Sequence, residues 1–296
     1  MPIQQMLLGA GGSINYAVGQ VVFSGDNSSQ SWTVPADVYS ISCVCIGKGE
    51  GNVDYIAGDG GGLAWASNIP VTPGATLTYT TWAASTTRSN TSGNSVLSGP
   101  ASGSQAAWSV TGPTSNSGTQ GTTYFSGTPG ASRGGNRGGV GGTYTSGWGG
   151  STLVRGGGGC AGYSGQGGDS EPGGKNNTSA AGGAATAGYG SGTIFGQIGR
   201  GGGGGGVGLE GEGDTGDWDD YSGNTVMWGG RKGSDGNHGT TASSSQQGHG
   251  GLYGGGSGGS VSSFGANAIG NGGGGGIRII YPGHERLYPS TRTADE

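Results

Sequence analysis

Over roughly the first hundred residues, apolar and polar positions alternate in short runs, and none keeps the 3.6-residue spacing of a helix face. "YAVGQVVFSG", "QSWTVPADVYSISCVCIG", "GLAWASNIPVTPGATLTYTTWA" and "QAAWSVTG" are rich in Val, Ile, Thr, Tyr and Trp, and turn-forming residues bound each of them. The pattern predicts a small all-β unit over residues 15–119, sandwich-like or barrel-like. Val38–Ile46 is apolar on both alternations near its end, as a strand covered on two faces is. Pro73–Gly74 suits a type II turn, because glycine accepts the positive φ such a turn requires. Residues 1–14 read as an extended lead. Its Met6–Leu8 patch fits a first edge strand or a docking peptide for a neighbouring subunit.

The alternation is lost from about 120 to 276, where most of the 79 glycines fall. They come in runs, at Gly156–Gly159, Gly201–Gly206, Gly254–Gly256 and Gly272–Gly276. There is no Gly-X-Y period, which excludes collagen. A polyglycine segment can adopt the polyproline-II helix at about 3.1 Å per residue, with its amide groups pointing outward. Several such helices side by side satisfy one another's amides, and only glycine lets them approach closely. A solvated spacer is the other reading of such a composition. It does not account for Trp148, Trp218, Trp228, Tyr144, Tyr163, Tyr189, Tyr221 and Tyr253. The expectation is therefore a glycine-rich polyglycine-II domain over 120–276, essentially without α-helix. Over 277–296 a closing strand at Ile277–Tyr281 and a polar surface tail follow.

Composition narrows the function classes. Hydrophobic residues make up 30% and charged residues 10%, too few for a conventional core along the whole length. A net charge of −5 gives no self-repulsion strong enough to hold the chain open. It also argues against nucleic acid as a partner, since phosphate contacts need clustered Lys and Arg. Cys43, Cys45 and Cys160 are an odd set, the first two too close to bridge each other. They fit synthesis in a reducing cytoplasm. The start lacks the basic and apolar regions of a secretory signal. No apolar run approaches a membrane span, so no membrane insertion is expected.

The most pointed constellation is Asp217, Trp218, Asp219, Asp220 and Tyr221, preceded by Glu210, Glu212 and Asp214. Three readings are open: a calcium site, although the EF-hand spacing is missing; a receptor-contact loop with aromatics packing on sugar rings; and a solvated acidic loop. Trp228, Arg231, Lys232 and His238 read as a second end loop. Enzyme readings find little to stand on. No GxGxxG opens a helix after a strand, and "GGRKGSDG" lacks the Walker spacing. His238, His249 and His284 show neither metal-ligand spacing nor a paired nucleophile. No metal, cofactor or enzymatic activity is expected.

"SWTVPADVYSISCVCIGKGEG" resembles the opening of glycine-rich bacteriophage virion proteins. "GGGLAWASNIPVTPGATLTYT" resembles their next segment, and the start "MPIQQMLLGAGG" is similar to theirs. The close "GGGGGIRIIYPGHERLYPSTRTADE" resembles the ending common in tail-fibre and other virion proteins. These four patches cover about a third of the chain. "TTWAASTTRSNTSGNSVLSGPASGSQAAWSVTG" departs from the usual continuation. The resemblance extends to tail-fibre tip adhesins with polyglycine-II domains. It implies a virion protein made in the host cytoplasm, whose loops between glycine helices contact a host-surface glycan or outer-membrane protein. Other fibre or tail subunits would be its partners. A non-adhesive decoration or connector protein of head or tail is the alternative, and an ice-binding or cell-wall glycine-rich protein is a third reading.

Overall fold

The computed structural model describes residues 17–52, 56–86, 93–101, 107–114, 120–125, 132–141, 156–170, 203–212, 248–258 and 270–289. Among them the chain is all-β. Ten strands form: β1 Gly19–Ser24, β2 Ser29–Thr33, β3 Ser40–Ile46, β4 Leu63–Pro70, β5 Thr76–Thr80, β6 Ser95–Gly99, β7 Trp108–Gly112, β8 Thr122–Phe125, β9 Arg133–Asn136 and β10 Gly276–Tyr281. They make two five-stranded antiparallel sheets, in the orders β1-β10-β3-β4-β9 (the first sheet) and β2-β5-β6-β7-β8 (the second). The expected closing strand is β10, and it takes a central place between β1 and β3. The Thr72–Ala75 turn joins β4 to β5. Gly74 sits there at φ +77°, and Ala75 N–H donates to Thr72 O at 3.0 Å, as a type II turn requires.

Every residue of β3 is buried, because the first sheet is covered on both faces. Alternation sends Cys43 and Cys45, with Ala64, Ala66, Ile277 and Ile279, into a core shared with Leu77, Tyr79, Leu97, Trp108 and Val110 of the second sheet. Val44, Ile46, Leu63, Trp65 and Ile280 point the other way. Cys160, Ala161, Tyr163, Val207, Leu209 and Tyr288 cover them, all brought in by the glycine-rich part of the chain and its closing segment. That closing segment is therefore only partly a surface tail. His284 and Glu285 are exposed, but Tyr288 is buried, its hydroxyl donating to Leu209 O at 2.9 Å.

At one end of the first sheet four strands run into glycine. β3 continues into Gly47–Asn52, β4 is entered through Ile56–Gly62, β9 continues into Arg137–Gly141, and β10 is entered through Gly270–Gly275. Past that line the hydrogen bonding changes character. Gly58 N–H donates to Ser257 O and Gly60 N–H to Gly139 O. Gly61 N–H donates to Gly254 O and Gly62 N–H to Pro113 O. In return Gly158 N–H reaches Gly58 O, Glu50 N–H reaches Asp59 O, Ala161 N–H reaches Gly61 O and Gly47 N–H reaches Gly62 O. These bonds run from 2.6 to 3.0 Å. A strand bonds to two neighbours at most. The stretch Gly58–Gly62 bonds to five separate segments, around residues 47–50, 113, 139, 158–161 and 254–257. Gly204, Gly251, Gly255 and Gly273 extend the array, with Gly204 N–H donating to Gly256 O and Gly273 N–H to Gly255 O at 2.7 Å each.

This packing leaves no volume for side chains. A Cβ on Gly60 would land on the carbonyl of Gly159, one on Gly139 on that of Gly168, and one on Gly204 on that of Gly158. The obstacles are main-chain atoms held by their own hydrogen bonds, so they cannot swing aside. Gly60→Ala and Gly139→Ala should each cost more than the 1–3 kcal/mol typical of overpacking. Gly74→Ala, which meets nothing within 4 Å, should cost only about 1–2 kcal/mol through its left-handed backbone. Urea unfolding of the three variants checks this contrast.

Candidate functional site

The sequence-predicted site residues Asp217, Trp218, Asp219, Asp220, Tyr221, Trp228, Arg231 and His238 lie outside the described residues, as does Asp214. The entrance to the acidic segment is described. Val207 and Leu209 are buried against the first sheet, and Leu209 O accepts from both Tyr288 Oη and the guanidinium of Arg278. Glu210 then emerges to solvent. Glu212 is tied back: its carboxylate accepts from Ser164 Oγ at 2.5 Å and its N–H donates to Pro289 O. The chain thus enters the acidic run from a fixed point.

Among the described residues Arg278 is the largest fully buried side chain. On β10 it faces away from the shared core and meets Gln20 Oε1 as well as Leu209 O. Beside it Tyr163 and Tyr288 stack at 5.6 Å with planes 5° apart. Tyr163 Oη donates to Gly208 O at 2.9 Å, and Trp65 Nε1 donates to Tyr163 O at 3.1 Å. This polar set holds the glycine-rich segments to the sheet through their carbonyls.

The histidines are structural where described. His249 Nδ1 accepts from Asn271 N–H at 2.9 Å, so the ring carries no proton on that nitrogen. Ser40 Oγ lies 3.0 Å from His284 Nδ1, and His284 Nε2 lies 3.6 Å from Glu285 Oε1. Hydroxyl, imidazole and carboxylate follow one another as in a nucleophilic triad, an arrangement that sequence reasoning missed. The geometry differs from a working one. Ser40 is buried, and the carboxylate is beyond hydrogen-bond reach and 63% exposed, so water screens its hold on the ring. Together with Gly283 N–H donating to Ser40 O at 2.9 Å, the contact fastens the turn after β10 onto β3. Among the described residues, no group of three His, Cys, Asp or Glu side chains gathers as metal ligands would. Cys43, Cys45 and Cys160 are buried, unbridged thiols.

The outer face of the second sheet carries a shallow depression with a regular arrangement of side chains. Thr78 pairs with Ser98, Ser98 with Ser109, and Ser109 with Tyr124, giving a row of hydroxyl side chains across four strands. Their chain neighbours Leu77, Tyr79, Leu97 and Val110 point into the core, so the row points outward. A depression of about 430 Å³ lies along it, lined by Thr76, Thr78, Ser98, Trp108, Ser109 and Tyr124, among others. The indole of Trp108 covers Gly99, where a Cβ would come within 2.5 Å of Nε1. Tyr124 stands 61% exposed at the rim. The T-x-T-x-T spacing of β5 marked a strand in the sequence. The pairing that turns it into a face required β6 and β8, which carry no comparable signal.

No protein-family model matches the chain, and no curated protein is significantly similar to it in sequence.

Titration of the buried groups gives a test of this packing. Burial pushes the thiols of Cys45 and Cys160 and the phenols of Tyr163 and Tyr288 up, with Cys43 adding to the effect on Cys45. Burial also pulls the Lys48 ammonium down, against the opposing pull of Glu50, and this single group acts in the other direction. Unfolded thiols ionise near pH 8.5 and unfolded phenols near 10. Above those values the unfolded chain releases protons that the native chain keeps. Stability is thus full below about pH 8 and falls as pH rises. The urea midpoint should drop from about pH 8.5 and more steeply past 10, with Cys160 alkylated only upon unfolding.

Proposed function

We propose that the chain is a bacteriophage virion structural protein, a tail-fibre or tail-tip component that contacts the host surface. The observation that carries this reading is the glycine array. Buried main chain bonded to five neighbours, with no space for a Cβ, fits polyglycine-II helices packed side by side, and such a solid is suited to holding loops rigidly at its ends. The two sheets that share a core fit a sandwich able to dock to the particle. The four sequence patches that resemble glycine-rich virion proteins support the same class. In this reading Asp217, Trp218, Asp219, Asp220 and Tyr221, with Trp228, Arg231 and His238, form the receptor-contact loops. Large rigid aromatic side chains would carry most of the contact energy, against a host glycan or an outer-membrane protein.

Two measurements test the proposal. A virion carrying Trp218→Ala with Tyr221→Ala should assemble normally and lose adsorption to host cells by at least ten-fold; normal adsorption would remove the loop from the receptor site. Amide exchange on the assembled protein should leave Gly203–Gly206 and Gly254–Gly256 protected far beyond coil rates. Coil-like exchange there would remove the rigid scaffold on which presentation depends.

A further inference from the structure

We infer that the outer face of the second sheet is a binding surface for a neutral saccharide chain, separate from the acidic loop and independent of the virion reading. The first observation is chemical. The five strands read SQSWT, TLTYT, SVLSG, WSVTG and TTYF, and no Asp, Glu, Lys or Arg occurs in any of them. A surface sheet without charge has no counter-group for a phosphate, sulfate or carboxylate, so an ionic ligand would give up hydration for nothing.

The second observation is the arrangement of hydroxyls. Thr78, Ser98 and Ser109 stand on adjacent strands, spaced about 4.8 Å apart as paired strands are. Each hydroxyl both donates and accepts, which matches the vicinal hydroxyls of a sugar. Ser98 Oγ donates to Thr78 O over a long 3.4 Å, which leaves the Ser98 lone pairs to accept from a ligand.

The third observation is the aromatic rim. Tyr124 follows Ser109 in the same row and is 61% exposed, so its ring is available to pack on the C–H face of a pyranose while its hydroxyl stays wet. Gly99, Pro100 and Trp108 complete the lining of this shallow, open depression.

The test uses the full chain in native gels cast with soluble neutral polysaccharides (dextran, yeast mannan and galactomannan), with alginate as the anionic control. At least one neutral polymer should retard the protein and alginate should not. Tyr124→Ala should weaken retardation at least ten-fold with an unchanged melting temperature, and Ser109→Ala with Thr78→Val should weaken it further. The Trp218→Ala, Tyr221→Ala chain should be retarded like the parent, which separates this surface from the loop. Free migration of the parent in every neutral gel would overturn the inference. So would equal retardation by alginate, Tyr124→Ala migrating like the parent, or Tyr124-dependent self-association in sedimentation.

Discussion

The structure depends on main-chain hydrogen bonding between glycine segments that have no side chains to hold them apart. Ordering a residue costs about 1–2 kcal/mol, and glycine loses more freedom than any other residue. A net hydrogen bond returns about 0.5–1.5 kcal/mol, and a close Cα–H to carbonyl contact about 0.5–1 kcal/mol. Each residue therefore sits near balance, and an isolated glycine helix has no reason to form. The first sheet changes that balance. β3, β4, β9 and β10 deliver four glycine segments already spaced and aligned, so the entropic cost of gathering them is met by the sheet's own packing. The array is an extension of the sheet beyond the point where side chains stop.

The apolar cluster on the far side of the first sheet is the second half of this device. Val44, Ile46, Leu63, Trp65 and Ile280 would be a bare face if the glycine-rich segments did not return Cys160, Ala161, Tyr163, Val207 and Leu209 to cover it. Arg278, Tyr163 and Tyr288 fix those returning segments by their carbonyls, the acceptors that every glycine segment offers to side-chain donors. Conventional hydrophobic burial on this face thus anchors described glycine segments that bond to one another through main chain alone. Lys48 shows how tight the junction is: it is buried where β3 passes into glycine, with its ammonium 6.0 Å from the ring centre of Trp82.

Much of the sheet architecture was legible in the sequence because it rests on patterns with a direct physical cause. The two-sided apolar run at Val38–Ile46 announced a strand covered on both faces. Pro73–Gly74 announced its turn, and Ile277–Tyr281 announced the closing strand. β8 and β9 were not legible. TTYF is too short to show alternation, and RGGN has no apolar residue at all, its pairing with β4 resting on main-chain bonds and on the Trp65 ring lying over Gly134. Tyr288 looks like part of a polar tail in sequence because burial of a lone tyrosine depends on Leu209 and Ser67, which are distant along the chain. The hydroxyl face was hidden for the same reason. Serine and threonine on separate strands become a surface only once register is fixed.

The place of β10 in the first sheet carries a cost during synthesis. β1 has no other partner in the sheet and β3 has only β4 besides, yet Ser42 meets Gly283 across a separation of 241 residues. At ordinary ribosomal speeds that interval lasts roughly ten to fifty seconds. Throughout it the nascent SISCVCI edge is an open template for any passing strand. The intervening glycine tracts are poor in the apolar β-formers that such an edge would capture. A backbone chosen for the finished solid thereby also shields the unfinished one, by giving the waiting strand little to seize in its own chain.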